Sequence, residues 1–257
     1  MRSIPAFSIV ALVALSSITG ARANDQDLCA GKGKPTPEQQ VQACSAMIAS
    51  PGLSPHMQAI AYNNRAAGYN RKEDHSRALQ DLNQAIRLRP DYALAYRNRG
   101  DTYRFRGRYD LALRDYNEAI RLDPNSAPAF RGRGLTFHLK ASWDFEGLLN
   151  EEAYYKRAVQ DYEQAIQLSP GVAINYILAG DSYAQMRRYD VAVKFYDKAI
   201  SLDPSFGVAY VARAIMFRKL RQTHRAIADY KAALRLKISE GLRKSIEASL
   251  DDLGGAA

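Results

Sequence analysis

Residues 95–124 read AYRNRGDTYRFRGRYDLALRDYNEAIRLDP. Tyr96, Gly100 and Tyr103 stand four and three residues apart, as do Ala112, Tyr116 and Ala119, so each trio falls on one face of an α-helix. Gly107 lies between them and marks a turn, and Asp123-Pro124 stops the second helix, because proline biases the residue before it away from helical dihedrals. Small Gly100 and Ala112 let the two helices approach closely, and Tyr103 and Tyr116 fill the space beside them. The stretch therefore predicts a helix hairpin with one apolar face left bare.

The hairpin recurs. QAIRLRP, EAIRLDP, QAIQLSP and KAISLDP end at Pro90, Pro124, Pro170 and Pro204, at intervals of 34, 46 and 34 residues, and Ala78, Ala112, Ala158, Ala192 and Ala226 repeat those intervals and add another of 34. Tyr62, Tyr96, Phe130, Tyr176 and Tyr210 open the five copies in phase, and only the fifth lacks its proline, with Ile238 in that place. Over residues 59–240 the chain resembles the tetratricopeptide-repeat family, whose helix-turn-helix unit has this period. The resemblance implies an all-α, right-handed solenoid of about five repeats, 59–92, 93–126, 127–172 with an insertion, 173–206 and 207–240. Such a fold binds a protein or peptide partner; it implies no catalysis, no cofactor and no metal.

Repeats need capped ends. Before the array, in 24–58, Thr36-Pro37-Glu38 starts a helix whose Val41, Cys44, Met47 and Ile48 form an apolar face. After it, in 241–257, Leu242, Ile246, Leu250 and Leu253 line one side of a last helix.

The chain opens MRSIPAFSIVALVALSSITGARA, with a charge at Arg2, an apolar run from Ile4 to Ile18 and small residues at Ala21 and Ala23. These are the parts of a secretory signal cleaved after Ala23, and they predict a secreted, periplasmic protein. The run is shorter than the ~20 residues a bilayer core requires, and charges interrupt every later apolar cluster. With a formal charge of +9, the chain favours anionic partners: acidic peptide segments, membrane headgroups or nucleic acid. Export argues against nucleic acid. Cys29 and Cys44, the only cysteines, either form a disulfide suited to that compartment, contributing about 3 kcal/mol, or remain two buried thiols. No small-residue apolar box precedes Cys29, which argues against lipid attachment.

The third copy holds twelve extra residues within LKASWDFEGLLNEEAYYKRA, 139–158. They include Trp143, Phe145 and Leu148, which are read either as an aromatic anchor projecting toward a partner or as part of a lengthened helix pair packing on itself.

In the family the stacked first helices line a concave groove. The resemblance places there Asn63, Asn70, Arg97, Asn98, Asp101, Arg104, Arg131 and His138, then Ile174, Ile177, Asp181, Val208, Val211, Ile215 and Arg218. This set is polar and basic at first and mostly apolar later, and it suits a segment with acidic and apolar ends. The family's dicarboxylate clamp matches at Asn98 alone; Asn63, Ala67, Pro128 and Gly132 depart from it. His56, His75, His138 and His224 lack metal-ligand spacing, and no phosphate loop or nucleophile elbow is present. Asp115, Asp161 and Asp229, each before a Tyr, read as helix-surface residues, solvated or paired with a nearby Arg. Two other readings remain, a basic adaptor for anionic envelope polymers and a non-catalytic subunit of an envelope enzyme complex.

Overall fold

The computed structural model describes residues 24–143 and 151–254. Over them the chain is all-α, with no strand among the described residues. It divides into two compact units, Met1–Asp123 and Pro124–Ala257. The proposed signal, 1–23, lies outside the described residues. Among the described residues no helix is long and apolar enough to cross a membrane.

The N-terminal unit holds α1 (24–29), α2 (Pro37–Ala49), α3 (Pro55–Arg71), α4 (His75–Leu88), α5 (Ala93–Phe105) and α6 (Tyr109–Leu122). Helices α3 and α4 form one hairpin, α5 and α6 the next, and α2 packs on α3. Thr36 starts α2 with a capping box: its hydroxyl accepts from the Gln39 amide N–H, and the Gln39 side chain accepts from the Thr36 N–H. These bonds satisfy donors the first helical turn leaves free. A disulfide joins Cys29 to Cys44, their Cα atoms 4.7 Å apart, and both cysteines are buried against Ala61. Gln40 is buried here with both ends of its amide bonded: it donates to the Cys29 carbonyl at 3.1 Å and accepts from Arg71 at 2.7 Å.

The C-terminal unit holds α7 (Ala127–Trp143), α8 (Glu151–Leu168), α9 (Ala173–Gln185), α10 (Tyr189–Leu202), α11 (Gly207–Lys219), α12 (Thr223–Leu234) and α13 (Glu240–Asp252). Tyr196, Phe217, Tyr230, Ile246 and Leu250 are buried in one core, and α13 closes its end with Ile246 and Leu250, flanked by Leu242 and Leu253. Ile238, in the slot where other copies have proline, packs on Gly207, at which an added Cβ would meet Ile238 Cγ2 at 2.6 Å.

The turn inside a hairpin repeats its hydrogen bonds. Asp74, Arg108, Arg188 and Gln222 each donate their N–H to the carbonyl five residues back, and the residue before each donates to the carbonyl three back. This double closure places one residue in the left-handed region. That residue is Gly107 in one hairpin but Glu73, Arg187 and Arg221 in the others, with φ near +60°.

The third hairpin is lengthened. Helix α7 has 17 residues where α5 has 13, and α8 has 18 where α6 has 14; the rest of the insertion lies in 144–150. The lengthened helices pack on one another: Phe137 stacks on Tyr154 at 6.3 Å, His138 meets the Tyr155 ring edge-on at 5.1 Å, and the Ser142 and Tyr155 hydroxyls are 3.2 Å apart. Phe145, Leu148 and the Trp143 side chain lie outside the described residues.

Asp115, Asp161 and Asp229 take the Arg-paired reading, but in buried positions instead of on the helix surface, and Asp81 repeats the arrangement. All four are buried, each gripped by two nitrogens of one arginine from the first helix of its own hairpin: Arg65–Asp81, Arg99–Asp115, Arg133–Asp161 and Arg213–Asp229, at 2.7–2.9 Å. The guanidinium groups lie over the rings of Tyr62, Tyr96, Phe130 and Tyr210, so their flat faces are packed while their edges bond. In the fourth hairpin the same positions hold Ala179 and Phe195, and the Phe195 ring lies 5.2 Å from that of Tyr183.

Candidate interaction surface

Sequence register brings the candidate residues onto the first helices of the hairpins, and each unit arranges its own set differently. In the N-terminal unit they bond mainly to one another. Asn98 donates to Asn63 at 2.8 Å, Arg97 donates to the Asn98 side-chain oxygen at 2.7 Å, and Asn70 donates to the Thr102 hydroxyl at 2.8 Å. Asp101 accepts from the Tyr116 hydroxyl at 2.7 Å and from Arg104 at 3.3 Å. Asn63 is buried, so it stands within the α3–α5 contact and offers nothing to solvent. The Arg97 Nε is buried without a partner.

In the C-terminal unit, α7 packs on α9 and α9 on α11. Arg131 donates to Asn175 at 3.4 Å, and His138 Nδ1 lies 2.8 Å from the Ser182 hydroxyl. Burial holds His138 below its ordinary pKa, which favours the neutral imidazole. Ile177 is buried in the core and is removed from the candidate surface. Ile174 and Val211 are half-buried. Val208 and Ile215 are 47% and 40% exposed on α11. Spaced seven apart with Val211 between them, they form an apolar stripe along one helix face. Arg218 and Lys219 border it, lining with Ile215 a recess of about 380 Å³.

Asp181, on α9, accepts from the Tyr196 hydroxyl at 2.7 Å. Burial, only partly offset by that bond, holds its carboxyl above the ordinary carboxylate range.

Three repeats carry a hydroxyl in the same column, which no single copy reveals. Thr102, Thr136 and Ser182 share one register position, are all buried, and each donates to the carbonyl four residues back. Thr102 and Ser182 also face Asn70 and His138 on the neighbouring first helix. Aligning the copies by column would have revealed it, because only that column combines small β-hydroxyl residues in three consecutive repeats.

The family model described as TPR repeat matches residues 68–104 and 100–140, and that described as tetratricopeptide repeat matches 173–206. The chain contains tetratricopeptide repeats. Among solved structures, a thermophilic TPR protein of Thermus thermophilus is similar at 17% identity and TM-score 0.62, over 75% of this chain and 98% of that one. MamA of Desulfovibrio magneticus is similar at 20% identity and TM-score 0.60, over 70% and 94%. YrrB, described as a TPR protein with an unusual peptide-binding site, is similar at 19% identity and TM-score 0.55, over 74% and 92%. At these identities the likeness is one of fold. No curated protein matches the chain.

Proposed function

We propose that this protein is an exported interaction scaffold that binds an extended or helical protein segment on its first-helix faces, with the α9–α11 face supplying the apolar contact. The observation that carries the reading is the stripe of exposed Val208 and Ile215 with half-buried Val211 between them and Arg218 and Lys219 at its border. An apolar stripe rimmed by charge is the layout of a binding surface, in which aliphatic side chains supply buried area and the rim sets orientation. The basic border suits a segment with an acidic end. YrrB lends the reading support, as a protein of this fold described by its peptide-binding site.

Export is part of the proposal. The sequence of residues 1–23 supports it, as does the Cys29–Cys44 disulfide, a bond that persists in oxidising compartments. The native protein's first residue, read by mass spectrometry, is expected to be Asn24.

Binding is tested with fluorescein-labelled nonapeptides holding three central aliphatic residues with varied flanks, measured by fluorescence polarisation. The wild-type chain is expected to bind a subset of them. Ile215→Asp places a charge in the stripe without disturbing a buried residue, and is expected to weaken that binding at least tenfold with an unchanged circular-dichroism melt. Equal binding by the variant overturns the proposal.

A further inference from the structure

The fourth hairpin departs from the second at one first-helix carboxylate. Asp101 and Asp181 occupy the same register position, and each accepts a hydrogen bond of 2.7 Å from a tyrosine on its partner helix, Tyr116 or Tyr196. Asp101 also has a cation of its own, Arg104, one turn further along α5. The corresponding position after Asp181 is Ala184. Among the described residues no lysine or arginine pairs with Asp181; the Tyr196 hydroxyl on Oδ1 is its one polar partner.

A carboxylate largely withdrawn from water and given a single neutral donor is poorly solvated, and it gains most from a cation brought to its other oxygen. At the register position of Asp181 on the next first helix stands Ile215, 40% exposed. Packed helix axes lie 8–10 Å apart, within the span of a few residues of bound chain.

We propose that Asp181 accepts a lysine or arginine side chain of the bound segment, placed beside the aliphatic residues that cover Val208 and Ile215. This deepens the reading above and rests on it. The expected ligand chemistry is a basic residue adjoining an aliphatic cluster, with an acidic group toward Arg218 and Lys219. The raised carboxyl of Asp181 agrees with a site whose counter-cation arrives with the partner. Its neighbours of either charge on this face are His138, held neutral by burial, Arg131, engaged by Asn175, and exposed Arg218. None supplies the missing cation.

The nonapeptides distinguish the two claims when each aliphatic core carries Lys, Gln or Glu at one flank. The wild-type chain is expected to bind the Lys-flanked members at least tenfold more tightly than their Gln counterparts. Asp181→Asn keeps the acceptor for Tyr196 and removes the charge; it is expected to abolish that preference while leaving the Gln-flanked members unchanged. Asp101→Asn, at a carboxylate already paired within the chain, is expected to preserve it. Equal binding of Lys- and Gln-flanked members by the wild type, or a preference that survives Asp181→Asn, overturns the assignment of Asp181 and leaves the scaffold reading standing. Binding of no aliphatic member overturns both.

Discussion

Asp101 and Asp181 share a column of the repeat and a tyrosine partner, yet only the first has a guanidinium beside it. The consequence is readable in stability. Burial raises the folded-state pKa of Asp181 above its unfolded value, so folding is least opposed when the group is protonated, below the unfolded pKa of about 3.9. As pH rises through the folded pKa the buried group ionises, and that contribution is lost. Asp181→Asn removes the ionisation and keeps the hydrogen-bond acceptor. The variant is therefore expected to melt at higher temperature than the wild type at pH 7, with the gain disappearing below about pH 4. A variant less stable at pH 7 would mean that the charge is held by a partner within the fold.

At the scale of the element, each hairpin turn needs one residue in the left-handed region, and three turns meet that need with Glu73, Arg187 and Arg221. A side chain there costs about 1–2 kcal/mol, partly returned by the entropy glycine adds to the unfolded chain. Arg187→Gly is expected to stabilise by roughly 0.5 kcal/mol in urea melts, whereas Gly107→Arg is expected to destabilise. The buried ion pairs give a second test. Where the other hairpins hold Arg and Asp, the fourth holds Ala179 and Phe195, and such a pair exchanges with apolar packing at little net energy when both members change together. Ala179→Arg or Phe195→Asp alone buries an unpaired charge and is expected to cost roughly 3–5 kcal/mol. The double variant is expected to recover most of that loss, giving a large favourable coupling in a double-mutant cycle.

At the scale of the whole molecule, a repeat protein is stabilised by contacts between neighbours, so its ends are its weakest points. This chain closes them by different means. The N-terminal unit ends in a cap held by the Cys29–Cys44 disulfide and the Gln40–Arg71 bonds; the C-terminal unit ends in α13, held by Ile246 and Leu250. Reducing the disulfide is expected to speed amide hydrogen exchange across α1 and α2 and to cost the N-terminal unit about 3 kcal/mol. Exchange in α9–α12 is expected to stay as it was, because they belong to the other unit. Faster exchange throughout would mean that the chain unfolds as one cooperative block.

The sequence by itself determined the helices, their pairing into hairpins, the stops at Pro90, Pro124, Pro170 and Pro204, and the helix start at Thr36, because these depend on local dihedral preference and on a pattern repeated five times. It also determined which residues occupy equivalent places. Only the tertiary structure decided what each place does. Asp115 could be either solvated or paired by its sequence, and Arg99 closes on it in a buried place across the hairpin; Asn63 and Ile177 share a column with Arg97 and Val211 but are buried by their neighbours. Burial and charge pairing are properties of several segments brought together, and residue type carries little information about them. For that reason Asp181, indistinguishable from Asp101 by its place in the repeat, emerges as the carboxylate without a cation only when the residues around it are in place.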